Sequence, residues 1–264
     1  MLSRLTLRGA SSLAALLLTA VSAPAAIIAV EAFDYQNLGA PIEGLNGGTG
    51  FNGAWTNGIA PQHGNFTVTT GGFVSTPSFP GSWGGASRSF SDNTLGASGT
   101  SLYLSVLLRA DGTVGDGFSA GFFGLFLDGS SGDLYIGKAG GGAAVNNYVA
   151  ETRGGGGQVD TGVGPLANTV TQLILKLDFL AGNDAATLYV NPGQNEPGAG
   201  AVKTDLNLGT VTGLQLFGGG AYSVGEIRVA TTWADVAPQT RVPEPGAAWL
   251  AGAGLILLAQ LRRR

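Results

Sequence analysis

The amino-acid sequence predicts an all-β fold, a sandwich of two antiparallel sheets, and three observations predict it. The chain has 46 glycines in 264 residues, and glycine in a helix costs about 1 kcal/mol relative to alanine, so long regular helices are disfavoured. Candidate strands recur along the body, separated by "DGTVGDG", "DGSSGD", "AGND" and "NPGQNEPG", clusters of the residues that tight turns favour. Where the strands are clearest, apolar residues alternate with a period of two, which places them on one buried face.

In chain order the predicted strands are 27–33, 65–70, 86–90, 101–109, 117–128, 133–138, 144–151, 171–179, 185–191, 213–217 and 223–232. Within "SLYLSVLLRA", Leu102, Leu104, Val106 and Leu108 share one face. In "LILKLDF", Leu173, Leu175, Leu177 and Phe179 point inward and Ile174, Lys176 and Asp178 outward. The segment "GFSAGFFGLFLDGSSGDLYIGK" is apolar on both faces, as a central strand followed by a tight turn would be. "KAGGGAAVNNY" and "RGGGGQVDTG" read as loops. The body, residues 27–236, is one domain with a linker at 237–241.

Both ends differ from the body. Residues 1–26 read as a secretory signal helix: Arg4 and Arg8 give the positive start, residues 13–21 the apolar stretch, and Ala23-Pro24-Ala25, followed by Ala26, the cleavage region. At the other end, residues 246–261 are apolar and would span about 24 Å as a helix, close to the ~30 Å of a bilayer core. Arg262, Arg263 and Arg264 follow as a membrane stop. Of the 17 acidic and 13 basic residues, the two ends take only Glu244 and five arginines, leaving residues 27–241, body and linker together, with 16 acidic and 8 basic side chains, a net −8. Such a surface repels phosphate backbones, so nucleic acid is an unfavourable partner. With no cysteine in the chain, disulfides, thiolate metal sites and cysteine nucleophiles are excluded.

A plain membrane anchor does not need the proline-bracketed run Val242, Pro243, Glu244 and Pro245, where proline fixes an extended, unpaired backbone. Motif, apolar run and terminal arginines together resemble the PEP-CTERM sorting signal of exopolysaccharide-producing Gram-negative bacteria, over residues 242–264. That resemblance implies a transient C-terminal transmembrane helix, an exosortase-type transpeptidase as partner, and an exported protein of the cell envelope, surface or extracellular matrix.

The succession "VEAFDY", "GLNGGTGFNGAW", "GLFLDGSSGDLYIGK", "LKLDFLAGNDAATLYVNP" and "GEIRVATTWADV" resembles LamG-like, concanavalin A-like jelly-roll domains. The resemblance implies a lectin- or glucanase-type sandwich but no named ligand, because such folds host binders, hydrolases and structural modules. Laminarinase-type relatives carry their two catalytic glutamates on one strand as E-x-D-x-E or with one extra residue. Here Glu31-Ala-Phe-Asp34 lacks the second glutamate, and Glu226 meets no further acid until Asp235.

The remaining motifs are weaker. His63 in "APQHGN" has no nucleophile elbow to serve. "GDLYIGKA" imitates a phosphate loop but ends in Ala139 where Ser or Thr would hold magnesium. Asp128 and Asp133 in "DGSSGD" are candidate calcium ligands or turn formers, and Asp184 belongs to a second oxygen-rich stretch with Asp178 and Asn183. Trp55 in "NGAWTNG" and Trp83 in "PGSWGGA" sit among turn residues and are the candidates for stacking on a polysaccharide, against packing at the core or rim. Trp233 is expected to cap the core and Trp249 to sit at the membrane interface. The expectation is a non-catalytic surface or matrix protein, with a lectin-like module as the alternative and a hydrolase the less favoured third reading.

Overall fold

The computed structural model describes residues 26–57, 66–76, 84–112, 115, 121–142, 146–153 and 156–238. They form fifteen strands: β1 (Ile27–Glu31), β2 (Phe51–Asn57), β3 (Thr67–Thr69), β4 (Phe73–Ser75), β5 (Gly84–Phe90), β6 (Ser101–Ala110), β7 (Phe122–Gly129), β8 (Asp133–Lys138), β9 (Tyr148–Thr152), β10 (Gly156–Asp160), β11 (Val170–Asp178), β12 (Asp184–Val190), β13 (Ala201–Leu206), β14 (Val211–Gly219) and β15 (Tyr222–Ala230). A single helical turn, α1 (Trp233–Val236), follows.

One sheet runs β13-β12-β11-β6-β15-β4-β3, with β1 on the free part of the β15 edge, and the other runs β10-β9-β8-β7-β14-β5-β2. Every strand pairing is antiparallel. The alternating leucines of β6 and β11 lie in the core between the sheets, where they meet Phe123, Leu125 and Leu127 of β7 and Leu214 and Leu216 of β14. Ile174, expected outward, is fully buried with Tyr103, Tyr189 and Trp233 under α1, which covers the outside of the eight-stranded sheet. Trp233 packs edge-on against both tyrosines and donates its ring N–H to the Gln194 carbonyl at 2.8 Å.

Four strands lie outside the predicted set, each for a physical reason. β2 is rich in Asn-Gly pairs, and its pairing with β5 shifts register between Asn52 and Thr56. β4 is only three residues long. β10 lies inside the glycine run read as a loop, pairing with β9. β13 hides because one of its two buried residues, the other being Leu206, is a lysine, Lys203, with no exposed side-chain surface.

Two buried cations tie the sheets together at opposite edges. Lys203 of β13 donates to the Gly156 and Gly157 carbonyls of β10 at 3.3 and 2.8 Å and to Asp205 at 2.6 Å. At the other edge Arg88 of β5 pairs with Glu31 of β1 at 2.7 Å, with side-chain exposures of 2% and 0%. Glu31 also accepts from the Trp55 ring N–H at 3.1 Å, the Tyr35 hydroxyl at 2.9 Å and the Phe33 amide at 3.0 Å. Arg88 donates further to the Gly53 and Gly47 carbonyls and to Asn46, and its guanidinium stands 4.6 Å over the Phe51 ring. The glycine run before β2 belongs to this assembly. Gly48 and Gly50, both at positive φ, press against β1 so closely that a Cβ would fall 2.2 Å and 1.9 Å from the Val30 and Ile28 carbonyls.

All six tyrosines resist ionisation. Burial is the first cause for each of Tyr35, Tyr103, Tyr135, Tyr148, Tyr189 and Tyr222, and for Tyr35 the Glu31 charge adds to it and pushes the hydroxyl up to about 12. As pH rises past the unfolded value of about 10, the unfolded chain releases protons that the folded chain keeps, so stability present below pH ~10 is lost above it. In a spectrophotometric titration, tyrosinate absorbance should therefore lag that of the denatured chain and rise together with alkaline unfolding. A folded-state midpoint at the denatured value would contradict the burial described here.

Candidate functional site

The strand registers place the side chains on the outside of the seven-stranded sheet in transverse rows. Asn52, Ser89, Gly213, Asp128 and Asp133 are successive partners across β2, β5, β14, β7 and β8. The next row is Thr56, Ser87, Gln215, Phe126, Tyr135 and Glu151. These face outward because their neighbours Ala86, Leu125, Leu127, Leu134, Ile136, Leu214 and Ala150 fill the core. One end of this face is thus hydroxyl, amide and carboxylate, and the middle is aromatic.

The aromatic middle is closely packed. Phe126 stands 5.1 Å from Tyr135 and 5.9 Å from Phe217, which in turn is 5.1 Å from Phe122. Tyr135 lies flat over Gly124, where a Cβ would come 1.7 Å from the ring. Its hydroxyl donates towards the carbonyls of Phe123 and Lys138, at 2.8 and 2.7 Å.

Arg153, just beyond β9, organises the polar end. Its guanidinium sits 4.0 Å over the Phe126 ring, hydrogen-bonds to Asp133, contacts Asp128 at 3.3 Å and donates twice to the Gln215 amide oxygen at 3.2 Å. Burial, then the neighbouring Asp133 charge, raises the Asp128 pKa, and Arg153 opposes both. Burial likewise raises Glu151, against the hydrogen bond it accepts from Gln158 at 2.8 Å. A groove of about 170 Å³ opens beside this cluster between Asn52, Thr56, Ser87, Ser89, Asp128 and Gly213. A second cavity of about 340 Å³ is lined by Ser131, Asp133, Thr152, Arg153, Asp205 and Asn207. The arrangement offers donors and acceptors around an arginine shared by two carboxylates, a chemistry suited to polyhydroxylated ligands.

Several sequence expectations change here. Trp55 is 1% exposed and committed to Glu31 through its ring N–H, so it presents no stacking face. The turn residues around it wrap the ring because Arg88 gathers their carbonyls. Asp128 and Asp133 have Arg153 as their cation. Asp184, only 3% exposed, sits elsewhere and accepts the Leu180 and Leu208 amides at 3.2 and 2.8 Å, bracing the turn before β12. Among the described residues no group of three or more acidic or histidine side chains could hold a metal ion. Residues 133–138 of the phosphate-loop imitation are strand β8, with Lys138 buried and donating to the Gly121 carbonyl at 2.7 Å.

Trp83, His63, Trp249, Ala23, Ala25, the motif Val242 to Pro245 and Arg262 to Arg264 lie outside the described residues. Ala26 is described, and it pairs with Thr231 immediately ahead of β1. Among the described residues no helix is long and apolar enough to cross a membrane. Asn52, Ser87, Ser89, Arg153 and Gln215 were not singled out from sequence. The one local signal was the alternation of Ser87 and Ser89 in "ASRSF", and only cross-strand register brings the five together.

The sequence matches no protein-family model and no curated protein. Solved structures resemble the fold. The endo-1,3-beta-glucanase from Streptomyces sioyaensis superposes with a TM-score of 0.54 at 12% identity, over 82% of this chain and 100% of that one. The CBM2 module of the Lactobacillus casei BL23 phage J-1 evolved Dit gives 0.46 at 12% identity over 81% and 98%, and peanut lectin 0.43 at 7% over 67% and 96%. The glucanase likeness shows the fold, an all-β two-sheet sandwich consistent with a concanavalin A-like jelly roll.

Proposed function

We propose that this chain is an exported, non-catalytic protein of the cell surface or extracellular matrix of a Gram-negative-type bacterium, whose seven-stranded sheet binds polysaccharide. Two independent features support the two halves of this reading. The last 23 residues, 242–264, combine recognition motif, apolar run and arginines in the order of a PEP-CTERM signal, which makes an exosortase-type transpeptidase the processing partner and the membrane a transient anchor. The row Asn52, Ser89, Gly213, Asp128 and Asp133 carries the glycan half, because it sets amide, hydroxyl and carboxylate side chains along a groove.

The non-catalytic part rests on the acids of that face. Glycoside hydrolysis uses a pair of carboxyl groups flanking the bond, one to give a proton and a second to attack or activate water. Asp128 and Asp133 both engage Arg153, and Glu151 engages Gln158.

In a host with an exosortase, intact-mass measurement of the mature protein should show loss of both the N-terminal 26 or so residues and the C-terminal apolar run. Residues 246–264 still attached would refute sorting and leave a permanent anchor.

On a glycan array, the body should bind polysaccharide equally with calcium or chelator, since Asp128 and Asp133 already share the Arg153 guanidinium as their counter-ion. Ser89→Trp, which fills the groove, should weaken binding about tenfold, equivalent to ~1.4 kcal/mol. Unchanged binding by that variant would move the site elsewhere, and no binding at all would leave a purely structural matrix role.

A further inference from the structure

A larger groove lies away from the glycan face, at the edge where the two sheets approach. It holds about 500 Å³ between the turn after β10 and the β12–β13 loop, and Asp160, Val163, Tyr189, Pro192, Pro197 and Ala199 line it. Val163 on its rim is 44% exposed. A trough of prolines, an aromatic ring and small residues suits an extended proline-containing segment, which brings a preformed backbone and little ordering cost.

The chain itself supplies such a segment at this place. The β12–β13 loop grips the end of the described body: the Gln194 carbonyl accepts the Trp233 ring N–H, and the Gln194 side chain donates to the Pro238 carbonyl at 2.6 Å. The next seven residues are Gln239-Thr-Arg-Val-Pro-Glu-Pro245. At ~3.1 Å per residue in an extended proline-type helix they reach about 22 Å, so they start on the loop that walls the groove. In sequence they offer Val242, Pro243 and Pro245 as apolar groups and Arg241 as a cation of the sign that would suit Asp160.

We propose that residues 239–245 dock in this groove, so that the body holds the segment preceding the apolar tail. Tethering supports this, because a short linker gives an effective concentration in the millimolar range and makes even a weak groove competitive. Docking stands without the sorting reading. Its consequence, that a transpeptidase must draw Val242 to Pro245 off the body before cleavage, rests on that reading.

The test is photo-crosslinking in the full chain in its membrane, without transpeptidase, using Val242→p-benzoylphenylalanine. Peptide mapping should place the adducts on residues 160–163 or 189–201 of the same chain. Ala199→Arg, which blocks the groove from an exposed position, should lower their yield about tenfold, the effect of removing ~1.4 kcal/mol of docking, with thermal unfolding unchanged. Adducts confined to lipid, to other copies or to another face would overturn the proposal, and the adduct map of the unblocked chain decides this by itself. With a transpeptidase added, faster processing of Ala199→Arg supports the sheltering consequence. Equal processing beside groove adducts would discard sheltering and keep docking, whereas no processing of either chain would remove the sorting reading alone.

Discussion

Taking a carboxylate and a guanidinium out of water costs several kcal/mol for each ion, and their attraction offsets this only when the geometry is close and the remaining hydrogen-bonding capacity is filled. Glu31 and Arg88 meet both conditions between the two sheets. Glu31 has four donors, from Arg88, Trp55, Tyr35 and the Phe33 amide, and Arg88 reaches three further oxygens, on Asn46 and Gly47 ahead of β2 and on Gly53 within it. Hydrophobic burial supplies most of the driving force for the fold. The ion pair adds something burial cannot, a fixed register between β1 of one sheet and β2 and β5 of the other.

The polar face inherits its geometry from that pair. Arg88 points inward, so the strand alternation turns Ser87 and Ser89 outward. Its bond to the Gly53 carbonyl lies within the stretch where β2 shifts register against β5, between Asn52 and Thr56. The groove therefore sits directly behind the buried network, and a change in one edge of the core should be felt as a change in spacing between Asn52, Ser87 and Ser89. At the opposite edge Lys203 performs a similar closure with backbone carbonyls.

How much of this was legible in the sequence depends on how local each signal is. The leucines of β6 and β11 announced a one-sided strand and fill the core as expected, because alternation is a property of a few consecutive residues. Lys203 and Arg88 were invisible as inward residues, since a charge at an inward position breaks the pattern that reveals a strand. Of the two readings Trp55 allowed, stacking on a glycan and packing in the core, the structure takes the second: turn-forming residues surround it and bring backbone carbonyls to Arg88. Asp128, Asp133 and Asp184 looked alike as acids near turns, yet one pair is bound to Arg153 and the third caps backbone amides. Arg153, Gln215 and Ser89 come together only through pairing between distant strands, which no short stretch of sequence encodes.

A double-mutant cycle on Glu31→Gln and Arg88→Met, read by urea unfolding of the body, tests the central claim most directly. Each single change leaves a buried charge without its counter-ion and should destabilise by ~3–5 kcal/mol. The double variant should lose clearly less than the sum, because the two changes remove one shared interaction. Small and additive losses would mean that the sheets hold their register without the pair, and would contradict the account.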